Sequence, residues 1–216
     1  MTDTAIGWIG DPDPSAAEWV FPYRYPDALA GGGWLADRFG PLLQILHPAY
    51  LDGGAEPTPV SWAAIAAACG TTLSPGATFM QVAAVDGPNA VVDGVFDGRP
   101  EMGSVPVELV PALYEHFPDA GSGLMWAGWA GFLDEEIGGC ARVREPDGLE
   151  YQVIAATRVP GGRVVRSRTP NFWWPRDRSW CAATGIDDEH TLVAAADRSR
   201  LEAVHADPRL ETLLFP

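Results

Sequence analysis

A chain of 216 residues that is 47% apolar and 20% charged has the make-up of one globular domain, or at most two small ones packed together, and falls outside the collagen-like, coiled-coil and disordered classes. A chain of this size buries about 70% of its unfolded surface, so neither disulfides nor a structural metal is required for folding. Fourteen basic residues, every one an arginine, face 29 acidic ones, and the formal charge of −15 disfavours nucleic acid as a partner, because phosphate binding needs cationic side chains.

Residues 1–58 are punctuated by Pro12, Pro14, Pro22, Pro26, Pro41, Pro48 and Pro57, which leaves room only for short elements. Gly31-Gly32-Gly33-Trp34-Leu35-Ala36 fits a dinucleotide-binding glycine pattern, but no apolar strand precedes it and Pro41 cuts the following helix short, so it reads as a flexible loop. Leu42 to Leu46 reads as a buried strand. Trp62, Ile65, Ala66 and Cys69 recur at helical spacing, with Ser61 to cap and Gly70 to stop. Thr78 to Val85 fits either helix or strand. Residues 86–103 read as a long loop holding a short strand, Ala90 to Val92. A second helix is expected from Ser104, with Val107, Val110, Tyr114 and Phe117 on one stripe; Pro111 requires it either to kink or to start later.

The remainder reads as strands. Leu124 to Ala130 and Tyr151 to Val159 have strand composition, and Val159-Pro160-Gly161-Gly162-Arg163 is a turn leading into Arg163 to Arg168. A hairpin joins Arg178–Thr184 to His190–Ala195. Ser199 and Glu202 fit a capping box for a terminal helix through Leu201, Val204 and His205. The whole, residues 1–216, is expected to be a single α+β domain: a Pro/Gly-rich portion (1–58), a helical portion (59–120) and a β-rich portion (121–216), with a mainly antiparallel C-terminal sheet covered by short helices.

The longest apolar stretches, Trp62 to Cys69 and Leu124 to Leu133, are shorter than the ~20 residues of a spanning helix, so no membrane association is expected. Three cysteines at spacings of 71 and 41 make neither a disulfide framework nor a C-x-x-C motif, and the N-terminus lacks a secretory signal; a cytoplasmic location fits. Residues 1–139 hold three arginines against 18 acids, whereas residues 140–180 hold eight arginines against four. The acidic part serves solubility or steers a basic partner.

No complete catalytic motif occurs, and no cofactor or metal is indicated. The candidate catalytic residues are therefore single: His47, after an apolar strand, and His190, with Asp187 beside it and Cys181 across the hairpin. Cys181, His190 and Asp187 have the types of a thiol nucleophile, base and orienter, against the simpler reading of Cys181 as a small buried hydrophobe. Asp187, Asp188 and Glu189 read as a solvated turn before a cation site. Trp173 and Trp174 are adjacent, so in an extended segment one indole faces the surface unless both faces are covered. With Arg166, Arg168, Arg176 and Arg178 around them they suggest a cation–π ladder, an interface anchor or an anion pocket, next to ordinary core stacking.

From Asn171 onward, the string Trp173-Trp174-Pro175-Arg176-Asp177-Arg178-Ser179-Trp180, then Ala183-Thr184-Gly185-Ile186-Asp187 and Asp207-Pro208-Arg209-Leu210-Glu211, resembles an uncharacterised family of actinobacterial proteins; Ile45-Leu46-His47-Pro48-Ala49-Tyr50 and the Trp62 helix look like its first half. The resemblance implies a bacterial protein and no particular reaction. The resulting expectation is an acidic, non-enzymatic binding protein, of immunity or adaptor type, that docks a basic protein. The competing one is an enzyme or small-molecule binder with an arginine-lined anion pocket at Arg166, Arg168, Arg176 and Arg178.

Overall fold

In the computed structural model, the described residues are 9–10, 13–20, 33–53, 56–87, 89–117, 124–129, 140–144, 148–156 and 169–215. They form an α+β fold, as the sequence suggests. The strands are β1 (Ile9–Gly10), β2 (Leu42–Leu46), β3 (Ala49–Leu51), β4 (Thr58–Val60), β5 (Leu124–Trp129), β6 (Arg142–Arg144), β7 (Glu150–Ala156), β8 (Phe172–Pro175), β9 (Trp180–Ala183), β10 (His190–Ala195) and β11 (Thr212–Leu214). The helices are α1 (Gly33–Phe39), α2 (Trp62–Cys69), α3 (Phe79–Ala83), α4 (Val110–His116) and α5 (Arg198–His205). Among the described residues one antiparallel sheet runs β1-β7-β5-β8-β9-β10-β2-β11, with β6 on the outer side of β7, and β3 and β4 form a separate pair.

Helices cover both faces of that sheet. On the first face Leu43, Ile45, Val193, Ala182, Trp180 and Trp173 pack against Val110, Leu113 and Phe117 of the α4 region and Leu201 and Val204 of α5. On the second, Leu42, Leu192, Cys181, Phe172 and Trp174 pack against Leu35 of α1 and against Ala17 and Val20 from two 3-10 turns, Pro14–Ala16 and Glu18–Val20. Leu46 and Leu213 carry a third apolar cluster, formed with Trp62, Ile65, Phe79, Val82 and Phe96 from α2, α3 and the following loop. This lobe sits beside β2 and β11.

Double coverage explains the strand sequences. All residues of β2, β8, β9 and β10 are buried, so none shows the in–out alternation of a one-sided strand. Around β9 the ladder sets large rings opposite small residues: Trp173 of β8 faces Ala182, and Trp180 faces Ala195 of β10. Such pairing fills an interior without forcing neighbours off their rotamers.

Local signals decide most helix ends. Ser61 accepts from the Ala64 N–H and Gly70 closes α2 at a φ of 68°. The open segment 78–85 is helical because Thr78 and Gln81 form a reciprocal capping box. The helix expected from Ser104 starts later, at Val110, with Pro111 in its first turn, where the missing N–H costs nothing. α5 is capped by Asp197, which accepts from the Ser199 N–H, in place of Ser199 itself. Ala90 to Val92 reduces to a single bridge between Val92 and Phe96. Arg163 to Arg168 and the turn before it lie outside the described residues.

Trp173 supplies the test of this core: it is 2% exposed and its indole N–H donates to the Pro170 carbonyl at 2.7 Å. Trp173→Ala is expected to lower unfolding stability by about 3–5 kcal/mol in urea denaturation, whereas a surface indole would change it by less than about 0.5 kcal/mol.

Candidate docking surface

A row of buried polar side chains crosses the first face at the strand ends: His47 after β2, Thr191 on β10, Thr184 after β9 and Asn171 before β8. The Glu101 carbonyl can only accept, so His47 Nδ1 carries the proton and donates to it at 2.7 Å. Nε2 then accepts from the Thr191 hydroxyl at 2.8 Å, and Thr191 Oγ1 in turn accepts from Thr184 at 2.8 Å. Asn171 donates to the carbonyls of Thr184 and Gly103 and accepts from the Trp129 N–H. Thr169 accepts from the Val105 N–H. Together these bonds pin residues 101–105 across the end of the sheet. Burial, opposed by the Glu101 hydrogen bond and reinforced by His190, lowers the His47 pKa to about 3. A general base needs reach to a substrate proton and a pKa near the working pH. His47 has neither, and its role is structural.

The thiol, imidazole and carboxylate set is dispersed. Cys181 stands opposite Ala194, four residues along β10 from His190, which at ~3.4 Å per residue separates them by about 14 Å. The Cys181 thiol is fully buried, and desolvation raises its pKa far above the ordinary thiol range, which leaves it protonated and inert. Asp187 is exposed in the turn, while Asp188 accepts from the Gly185 N–H and Glu189 pairs with Arg99. His190 is buried with Nε2 unpartnered, and desolvation lowers its pKa against the opposing pull of Asp188. Successive strand residues point to opposite faces, so His190 lies on the face away from Thr191 and His47.

The tryptophan–arginine anchor is not formed as expected. Trp173 and Trp174 are both buried, because β8 is an interior strand covered on both faces. Arg178 lies 5.6 Å from the Trp19 ring centre and donates to the Ser15 carbonyl at 3.4 Å. Trp19 meets Trp174 and Trp34 edge-on at 5.7 and 5.4 Å, with Arg38 over it at 4.9 Å. A cation–π stack therefore exists, centred on Trp19. Arg176 is exposed, and Arg166 and Arg168 lie outside the described residues, so the described part of the chain brings no arginine pocket together.

A different surface emerges on the α2–α3 lobe. Among the described residues the exposed large apolar side chains are Met80, Val91 and Met102, at 40%, 53% and 39%; Met80 lies on α3, and Val91 precedes Val92, which packs against the lobe's apolar cluster. In the same stretch of chain Asp52, Glu56, Asp86, Asp93, Asp97 and Glu108 are exposed, and Asp86 lines an open groove with Met80. The arginine of this stretch, Arg99, is spent internally: it pairs with Glu189, donates to the Gly87 carbonyl at 3.2 Å and sits 5.3 Å from the Phe79 ring centre. Sequence reasoning missed this surface. Its signal was the Thr78 and Gln81 capping box, which fixes the phase of α3, buries Phe79, Val82 and Ala83, and turns Met80 outward.

No family model, curated protein or solved structure matches this chain. Among the described residues no helix is long and apolar enough to cross a membrane, and no group of three or more potential ligands is placed to hold a metal ion.

The neutral histidines make stability depend on pH. A histidine whose folded pKa lies below the ordinary 6.5 takes up its proton only on unfolding, so its contribution is present above 6.5 and is lost as the pH falls. Between pH 7 and pH 5, His47 alone is expected to remove about 2 kcal/mol of unfolding stability. His190 acts in the same direction, and Glu189, whose carboxyl burial pushes up, acts in the opposite one. Urea titrations of the wild-type chain and of His47→Gln check this: the variant is expected to show the shallower pH slope.

Proposed function

We propose that this protein is an acidic, non-enzymatic binding protein that docks a basic protein partner through the α2–α3 lobe. The observation that carries the reading is the presence, in one stretch of chain, of exposed apolar side chains and of exposed acids that make no ion pair among the described residues. From Ala49 to Glu108 the chain holds seven acids and one arginine, and that arginine is paired with Glu189. Met80, Val91 and Met102 are exposed within that same stretch, and Met80 shares an open groove with Asp86. Apolar contacts inside a one-signed field suit a surface on which charge steers the encounter and desolvated side chains hold it. The arginine pocket proposed as the competing site has no comparable support, since Arg178 is occupied by Trp19.

Affinity capture from bacterial lysate with the native chain, against a chain carrying Asp52→Asn, Asp93→Asn and Asp97→Asn, tests the reading. A basic protein is expected to be retained by the native chain, lost at raised ionic strength and weakened by the triple variant, with the same order in calorimetry of the purified pair. Equal retention by both chains at all salt concentrations, or tight binding of a phosphorylated or carboxylated metabolite with no protein retained, would overturn it.

A further inference from the structure

We infer that the open groove beside α3 receives a basic side chain of the partner, an arginine or lysine whose aliphatic stem lies on Met80 and Val85 and whose charged end meets Asp86. The groove has a volume of about 620 Å³ and is lined by Thr78, Met80, Gln81, Ala84, Val85 and Asp86. This rests on the docking reading above and assigns to it a contact point and a partner chemistry.

The groove is held in shape from behind. Phe79 packs edge-on against Trp62 and Phe96 at 5.3 and 5.1 Å, which fixes the buried side of α3. At the helix end Ala84 turns to a φ of 54°, and the N–H groups of Ala84 and Val85 both bond the Met80 carbonyl. That tight closure brings Val85 and Asp86 back alongside Met80. The Arg99 guanidinium then fixes the next residue through the Gly87 carbonyl, at 3.2 Å. Left-handed backbone at an alanine costs energy that a glycine would avoid. It persists here because the surrounding bonds determine it.

The lining selects its occupant by chemistry. Asp86 is its one charged residue and has no ion pair among the described residues. An acidic occupant would be repelled. A purely apolar occupant would leave the Asp86 carboxylate partly desolvated without compensation. A long-stemmed cation satisfies both parts, because arginine and lysine lay their methylenes on apolar surface while the charged end reaches a polar group. Gln81 adds a polar edge: its Oε1 takes the Thr78 N–H at 2.9 Å, and its amide nitrogen remains for a carbonyl of the bound chain.

The full chain, with methyl-labelled methionine, gives a sparse spectrum because it contains four methionines. Two probes are titrated: a short peptide alternating arginine and leucine, and the same peptide with neutral citrulline in place of arginine. The Met80 methyl signal is expected to shift saturably with the first and to stay in place with the second. Asp86→Asn is expected to weaken the arginine peptide about two- to fivefold, the range of an exposed ion pair, and to do so more than Asp93→Asn, which lies outside the lining. Both aspartates are exposed, so neither variant threatens the fold. If the peptide binds in a salt-dependent way but leaves Met80 unmoved, or if Asp86→Asn and Asp93→Asn weaken it equally, the groove assignment is overturned while docking by the acidic field stands. If calorimetry finds neither peptide bound at low salt, both fall.

Discussion

Every polar group of His47 is committed, and the attachment of the lobe to the sheet depends on it. Its N–H donates to the Glu189 carbonyl at 3.2 Å, its carbonyl accepts from the Trp62 indole at 2.7 Å, and its ring bridges the Glu101 carbonyl and the Thr191 hydroxyl. One residue at the end of β2 thus joins β10, α2 and the segment that leads to α4. Leaving any of these buried groups unpaired would cost about 1–3 kcal/mol, which makes the neutral ring and its single tautomer the favoured state. Three further bonds fasten the lobe. The Glu211 carboxylate, just before β11, accepts from the Trp62 and Ala63 N–H groups at 2.6 and 2.7 Å, and Gln44 of β2 accepts from the Gly76 N–H at 3.1 Å. A carboxylate on the first turn of a helix satisfies otherwise orphaned donors.

A lobe held in this way can present Met80 and its acidic neighbours on a fixed frame. Functional contacts are more exact on rigid elements than on loose loops. The core behind the lobe is aromatic and edge-packed from Trp62 through Phe79 to Phe96, and the sheet next to it is sealed on both sides. Residues that look reactive in isolation, Cys181 and His47 above all, serve this frame.

Charge is divided between the two parts of the molecule in the same sense. Several described arginines of the C-terminal part are paired locally: Arg142 and Arg144 with Glu150, Arg198 with Glu202, and Arg209 with Asp207 and Glu115. Arg209, with backbone and His116 contacts adding to it, holds the Asp207 carboxyl well below the usual carboxylate range. The exposed acids of the lobe make no ion pair among the described residues, so their negative field is left open to solvent. Screening by salt acts on that field more strongly than on the paired network beneath.

Local chemistry determined the parts that were legible in the sequence. Ser61 and Gly70 bound α2, Leu42 to Leu46 is β2 residue for residue, and the hairpin of β9 and β10 follows from its turn. Each of these rests on neighbours within a few positions, which a chain carries in its own order of residues. Burial did not follow in the same way. The fate of Trp173 and Trp174 depended on β5 and β9 closing against β8 and on helices arriving at both faces, contacts made by residues far away in the chain. The same holds for Arg99: only the folded chain brings Glu189 to it and so takes the one arginine of residues 49–108 away from the exposed acids of that stretch. Composition fixed how much charge the protein carries; tertiary packing decided where that charge faces water, because neutralisation is a matter of distance in space.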